Sequence, residues 1–199
     1  EVELEVGYWI NDAGYKINYR YEVMRENARH PGGTALACLA FMAGGHTPGR
    51  GPYGEVVRRG MNFIIATMVR GEEGPSGYLT MDETRMYSHA FGTLLLAELL
   101  GMANLSPAEE DRLRRTLASA VDLISESQTL MEDESYGEDD PRRVYGGWRD
   151  APDSTDTDMS QVVCQLQALR AAANVGIKVP VEVIRRAKDY VARSYVRSG

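Results

Sequence analysis

Cysteine is scarce in this chain, with only Cys38 and Cys164 among 199 residues. Both lie inside apolar helical runs rather than loops, which excludes a disulfide-stapled framework and predicts two buried, unpaired thiols. Positive charge is also short. Lys and Arg number 22 against 29 Asp and Glu, a formal net charge of -7, and no basic stripe interrupts the acidic excess. That balance excludes a phosphate-binding face, so nucleic acid is not an expected partner. Long apolar runs are missing as well: none approaches the ~18 residues of a membrane span, and no basic-then-apolar leader opens the chain. The reading is a soluble protein without a transmembrane segment, cytoplasmic, or exported if a signal has been removed. The first residue is Glu1 rather than Met, and Ser198-Gly199 follow directly on a helical pattern. A piece of a longer protein fits both ends.

What the chain does have is an alternation of two kinds of helix. Residues 1–29 mix Tyr and charge without a clean period; short helices are expected near 2–11 and 17–27, as an irregular remnant of a preceding helix pair. From His30 the pattern sharpens into a domain spanning 30–199. Ala35 to Ala43 is almost wholly apolar and bounded by glycine pairs, predicting a helix buried on most faces. Glu55 to Val69 is amphipathic, with charge at Glu55, Arg58 and Arg59. The same order returns twice. Met86 to Gly101 is apolar, and Ser106-Pro107-Ala108-Glu109 opens an amphipathic helix with a capping box, expected to run to about Gln128 before an acidic loop. Asp158 to Asn174 and Pro180 to about Arg197 form the third pair.

Superposing the pairs yields two registers. On the apolar helices Thr34, Thr93 and Ser160 correspond, each followed four residues later by a small residue: Cys38, Ala97 and Cys164. On the amphipathic helices Gly60, Ala120 and Ala187 correspond, at spacings of 60 and 67, each followed three residues later by Phe63, Leu123 or Tyr190. A two-helix repeat of this kind covers its apolar faces only by stacking on its neighbours.

The segment RTLASAVDLISESQ followed by GGW, with Ala120, Leu123, Ile124, Gln128 and Trp148 in place, resembles the outer-helix repeat of the prenyltransferase and squalene-cyclase family. Gly77-Tyr78 marks the same loop in the preceding pair. That first repeat carries Met68 at the Gln position, and the third carries Tyr195 with no Gly-Trp after it. The resemblance covers about residues 30 to 199. It implies an all-α, α/α-toroid-like arc of three inner and outer helix pairs, with the inner helices lining a cavity.

The resemblance also implies candidate chemistry. Terpenoid cyclases of this family protonate their substrate from an Asp-x-Asp-Asp motif, and the matching segment here reads Asp156-Thr157-Asp158-Met159. Asp158 stands at the donor position with Asp156 beside it, while Met159 replaces the last acid; helix capping is the competing role for both. The protein prenyltransferases hold zinc with an Asp and a Cys two residues on, but here Ser160 occupies the second place, so no zinc site and no cofactor are expected. His30, His89 and Asp156 each precede the aligned Thr34, Thr93 or Ser160 by four residues, at one end of successive inner helices. They could form two imidazoles and a carboxylate around a common mouth, or anchor loops to backbone. With Trp148, which serves either as a substrate contact or as an interlock between repeats, these are the candidate cavity residues. The function so implied is an isoprenoid-handling enzyme of the terpenoid-cyclase kind. The alternative is a non-catalytic toroid whose concave face binds a protein or an apolar ligand, and a protein partner or the rest of a longer chain could complete the ring.

Overall fold

The computed structural model describes residues 5–9, 15–17, 20–22, 29–69, 74–81, 85–130 and 145–195. Six helices make up nearly all the regular structure among them: α1 (Pro31–Ala43), α2 (Gly54–Ala66), α3 (Met86–Met102), α4 (Pro107–Glu126), α5 (Met159–Asn174) and α6 (Val181–Arg193). The chain is all-α in class. The acidic loop expected before Tyr145, and the last residues of the final helix, lie outside the described residues.

Helix starts follow local chemistry. Ser106 and Glu109 make the reciprocal capping box of α4, with Pro107 in the first turn. The first helix begins four residues earlier than its apolar run, because His30 accepts the Gly33 N–H on its Nδ1 (2.9 Å) and Pro31 supplies a preset φ at the first helical position. Gly32, a breaker by composition, is instead a contact point: a Cβ there would press on Ser88 of α3.

The N-terminal expectation is corrected. No helix forms at residues 5–9, and Tyr15–Ile17 pairs antiparallel with Arg20–Glu22 as a hairpin, β1 and β2. Tyr and Ile favour the extended backbone of a strand, and only two residues separate the pair. Residues 5–9 spend their backbone groups on tertiary partners, with Gly7 N–H on the Arg59 carbonyl (3.1 Å), Trp9 N–H on Thr34 Oγ1 (2.9 Å) and the Trp9 carbonyl accepting from His30 N–H (3.3 Å). An isolated helical turn offers nothing comparable.

Packing is in two layers. The apolar helices α1, α3 and α5 lie side by side, and α2, α4 and α6 each cover one of them. Gly60, Ala120 and Ala187 are buried, as are Phe63, Leu123 and Tyr190, so the two helix types meet through the small-residue register. At Gly60 the helix approaches so closely that a Cβ would collide with Cys38 Sγ. Neighbouring outer helices are tied by the Arg58–Glu109 ion pair and by Arg112 Nη2 donating to Asn62 Oδ1 at 3.2 Å.

Two loops lock the layers. Gly77 and Gly146 have φ of +88° and +90°, a region that penalises any side chain, and a Cβ at either would strike the carbonyl of Ser119 on α4 or Arg186 on α6. Ser119 and Arg186 stand 67 residues apart, the spacing of the outer register. Trp148 is fully buried and donates its indole N–H to the Ile124 carbonyl (2.7 Å). Gln128 donates to the carbonyls of Gly146 (3.0 Å) and Val183 (2.9 Å).

One burial expectation fails. Cys38 and Cys164 are both free thiols, but only Cys38 is buried; Cys164 is half-exposed. Among the described residues its helix ends the row of inner helices, and no further one packs beside it.

Candidate open apolar face

Among the described residues nothing covers the side of α1, α3 and α5 turned away from the outer helices. On α3 the residues facing it recur at helical spacing, Tyr87, Phe91, Leu94, Glu98 and Met102, which is one stripe of a 3.6-residue period. Two grooves cross this face. A smaller one of about 270 Å³ lies between α1 and α3 against Leu39, Met42, Leu94, Glu98 and Met102. A larger one of about 590 Å³ starts from the same Leu94 and Glu98 and runs over α5 past Met159, Val163, Leu166 and Arg170 to Val191 of α6. Leu36, Met102 and Val163 are about half exposed, an unusual amount of apolar surface for one side of a small domain. Glu98, half-buried where the grooves meet, makes no hydrogen bond or ion pair with the described residues.

Most of the residues singled out from sequence lie elsewhere. His89 is fully buried between layers: its Nδ1 accepts the Leu79 N–H (3.1 Å), so the ring proton sits on Nε2 and is donated to the Ala120 carbonyl (3.1 Å). Burial pushes its pKa down from 6.5 to about 4, against a smaller upward pull from the Ala120 carbonyl. His30 is held below its ordinary value by burial as well, and its Nδ1 is occupied by the Gly33 N–H. Asp156 points to solvent and pairs with Arg149 at 3.5 Å. These three do not converge, and no group of three His, Cys, Asp or Glu among the described residues is placed to share a metal ion. Thr34 is buried holding Trp9, and Thr93 is buried with its hydroxyl donated to the His89 carbonyl (2.8 Å). Neither lines a groove.

Asp158 is the N-cap of α5. Its Oδ1 accepts the N–H of Ser160 (2.8 Å), the N–H of Gln161 (3.3 Å) and the Ser160 hydroxyl. The carboxylate can only accept, so Ser160 gives it the hydroxyl proton and receives one from Tyr87, bridging α5 to α3. The Ser160 hydroxyl above all, with the two backbone N–H groups and the Arg149 charge, holds the Asp158 carboxyl below its ordinary range against the opposing effect of burial. A general acid needs the opposite shift.

Sequence reasoning missed Leu94, Glu98 and Leu166. The stripe on α3 was a usable signal, but apolar residues encircle that helix and hide which side stays open. Compared with known proteins, the chain matches no family model, no curated protein and no solved structure. Among the described residues no helix is long and apolar enough to cross a membrane.

Proposed function

We propose that this protein is a non-catalytic binding scaffold of the prenyltransferase and squalene-cyclase repeat kind, and that its open face takes a long apolar ligand such as an isoprenoid chain. The observation that carries this reading is the pairing of a continuous apolar face, crossed by two grooves that share Leu94 and Glu98, with an Asp158 carboxyl committed to capping. The toroid-like arc is part of the same proposal: three stacked pairs would make the open face the concave side.

The physical case against turnover is twofold. Asp158 is stabilised as an anion, so the proton that cyclisation consumes is not available from it at neutral pH. An open groove also leaves solvent beside any carbocation, which water would capture before a ring closed. Neither argument weighs against binding. Hydrocarbon leaving water for this face gains roughly 25 cal/mol for each Å² buried, and the unpaired Glu98 favours a ligand whose polar end donates a hydrogen bond. Incubating the protein with squalene and shorter isoprenoids and analysing the extract tests the reading: recovered, unchanged substrate is expected. A cyclic product that disappears in Asp158→Asn would overturn it in favour of a cyclase.

A further inference from the structure

We propose that the chain associates head to tail with a second copy of itself, the α5/α6 edge of one copy receiving the α1/α2 edge and the Gly7–Trp9 segment of the next. The inference shares Val163 and Val191 with the rim of the larger groove but rests on a different observation, what is buried inside the chain and exposed at its two ends.

The tail comes first. Shifting by the outer register, Val57, Met61, Ile64 and Met68 of the first pair become Leu117, Val121, Ile124 and Gln128 of the second and Ile184, Lys188, Val191 and Tyr195 of the third. In the second pair all four are buried, and in the first Val57, Met61 and Ile64 are buried likewise. On α6 and just past its end the same stripe opens beyond the half-buried Ile184. Val191 is 40% exposed where Ile124 and Ile64 are 0%, and Tyr195 is 76% exposed where Gln128 is 3%. Val163 of α5 extends the apolar edge.

At the head, Gly7-Tyr8-Trp9 repeats Gly77-Tyr78-Leu79 and Gly146-Gly147-Trp148. Each glycine packs on the same turn of an outer helix, at Arg59, Ser119 and Arg186 respectively, which are 60 and 67 residues apart. Both internal loops are gripped from their other side by the preceding outer helix or its exit: Val69 N–H donates to the Tyr78 carbonyl (2.9 Å), and the Trp148 indole donates to Ile124. The Gly7 loop lacks that grip among the described residues. Accordingly Tyr8 is 45% exposed, whereas Tyr78 is 9%.

One chain thus carries both halves of a junction that it builds twice internally. An α6 edge brought to the Gly7 loop would bury Val191 and Tyr195 and set the α6 carbonyls, at the register of Ile124, beside the Trp9 indole. A repeat interface of this sort is a sum of nearest-neighbour contacts, so the same surfaces suit a neighbour from another chain. Being heterologous, the contact extends beyond a dimer unless its rotation closes a ring. Lys188, where the internal copies have Val121 and Met61, keeps the edge soluble and the association reversible.

Sedimentation of the full chain and of two end-blocked variants tests this, over about 5 to 500 µM, a range bracketing micromolar dissociation constants. Val191→Glu blocks the tail and Tyr8→Glu the head, and circular dichroism verifies that each keeps wild-type helix content. The wild type should rise past twice its 22.0 kDa mass with concentration. Each variant alone should remain at monomer mass, while an equimolar mixture should reach a dimer and stop, since each variant supplies the end the other lacks. A wild type that stays monomeric throughout, a variant that self-associates like wild type, or a mixture that stays monomeric would overturn the proposal.

Discussion

His89 illustrates how one buried side chain ties sequence to stability. Its neutral ring bridges the Leu79 N–H and the Ala120 carbonyl, and adding a proton at Nδ1 would set two N–H groups against each other. Because its folded pKa lies below the unfolded one, the unfolded chain takes up the proton first. The contribution is therefore complete above pH 6.5 and is lost as pH falls toward about 4, to a limit of about 3 kcal/mol. Urea unfolding at pH 7.5 and 5.0 should show a steeper loss for wild type than for His89→Asn; equal slopes would refute this role. Asp158 has the same sign in a more acidic window, since its depressed pKa adds stability above the ordinary carboxylate value and loses it as pH falls below that value. Asp158→Ala should cost on the order of 1 kcal/mol, as a lost cap does, and Asp158→Asn, which keeps a capping oxygen, much less. The cysteines offer a third check. Burial raises the Cys38 thiol to about 12, and partial burial raises Cys164 while leaving it accessible, so a thiol reagent at pH 8 should modify Cys164 first and Cys38 only on unfolding. The burial of Cys38 and the capping role open to Asp158 were legible in the sequence, whereas the exposure of Cys164 and the burial of His89 were not, because register told which residues were equivalent and not which had a neighbour on their outer side.

At the scale of elements the sequence was far more informative. Six helices follow apolar periodicity and capping chemistry within a few residues, since a long periodic stretch has few alternative ways to bury its apolar side. The N-terminal segment departs from its sequence reading for the converse reason. Tyr, Gly and charge in short alternation carry little helical information, and the backbone of Gly7 and Trp9 found partners on α1 and α2 that no local pattern reveals. The glycine loops were recognised by composition, but their purpose came from contact with the next outer helix. Gly146→Ala should destabilise by about 2 kcal/mol, combining the cost of a left-handed φ with a clash against the Arg186 carbonyl. A change below about 0.5 kcal/mol in chemical denaturation, the range of an unconstrained surface site, would show that the loop is not clamped.

For the whole molecule, the two-layer stack decides what can be done chemically. Burying His89, Thr34, Thr93 and Trp148 between layers removes them from any ligand, while stacking the inner helices leaves Leu94, Glu98 and Leu166 open. The open face is thus what packing leaves over, and its membership depends on which helices are neighbours. We propose that this face binds an apolar chain without Asp158 acting on it. Titrating the protein with farnesol by calorimetry, in wild type, Leu94→Glu and Asp158→Asn, tests it most directly. Saturable binding is expected in wild type and Asp158→Asn, and at least a tenfold loss in Leu94→Glu, the equivalent of about 1.4 kcal/mol. Binding that ignores Leu94→Glu, or that Asp158→Asn abolishes, would contradict it.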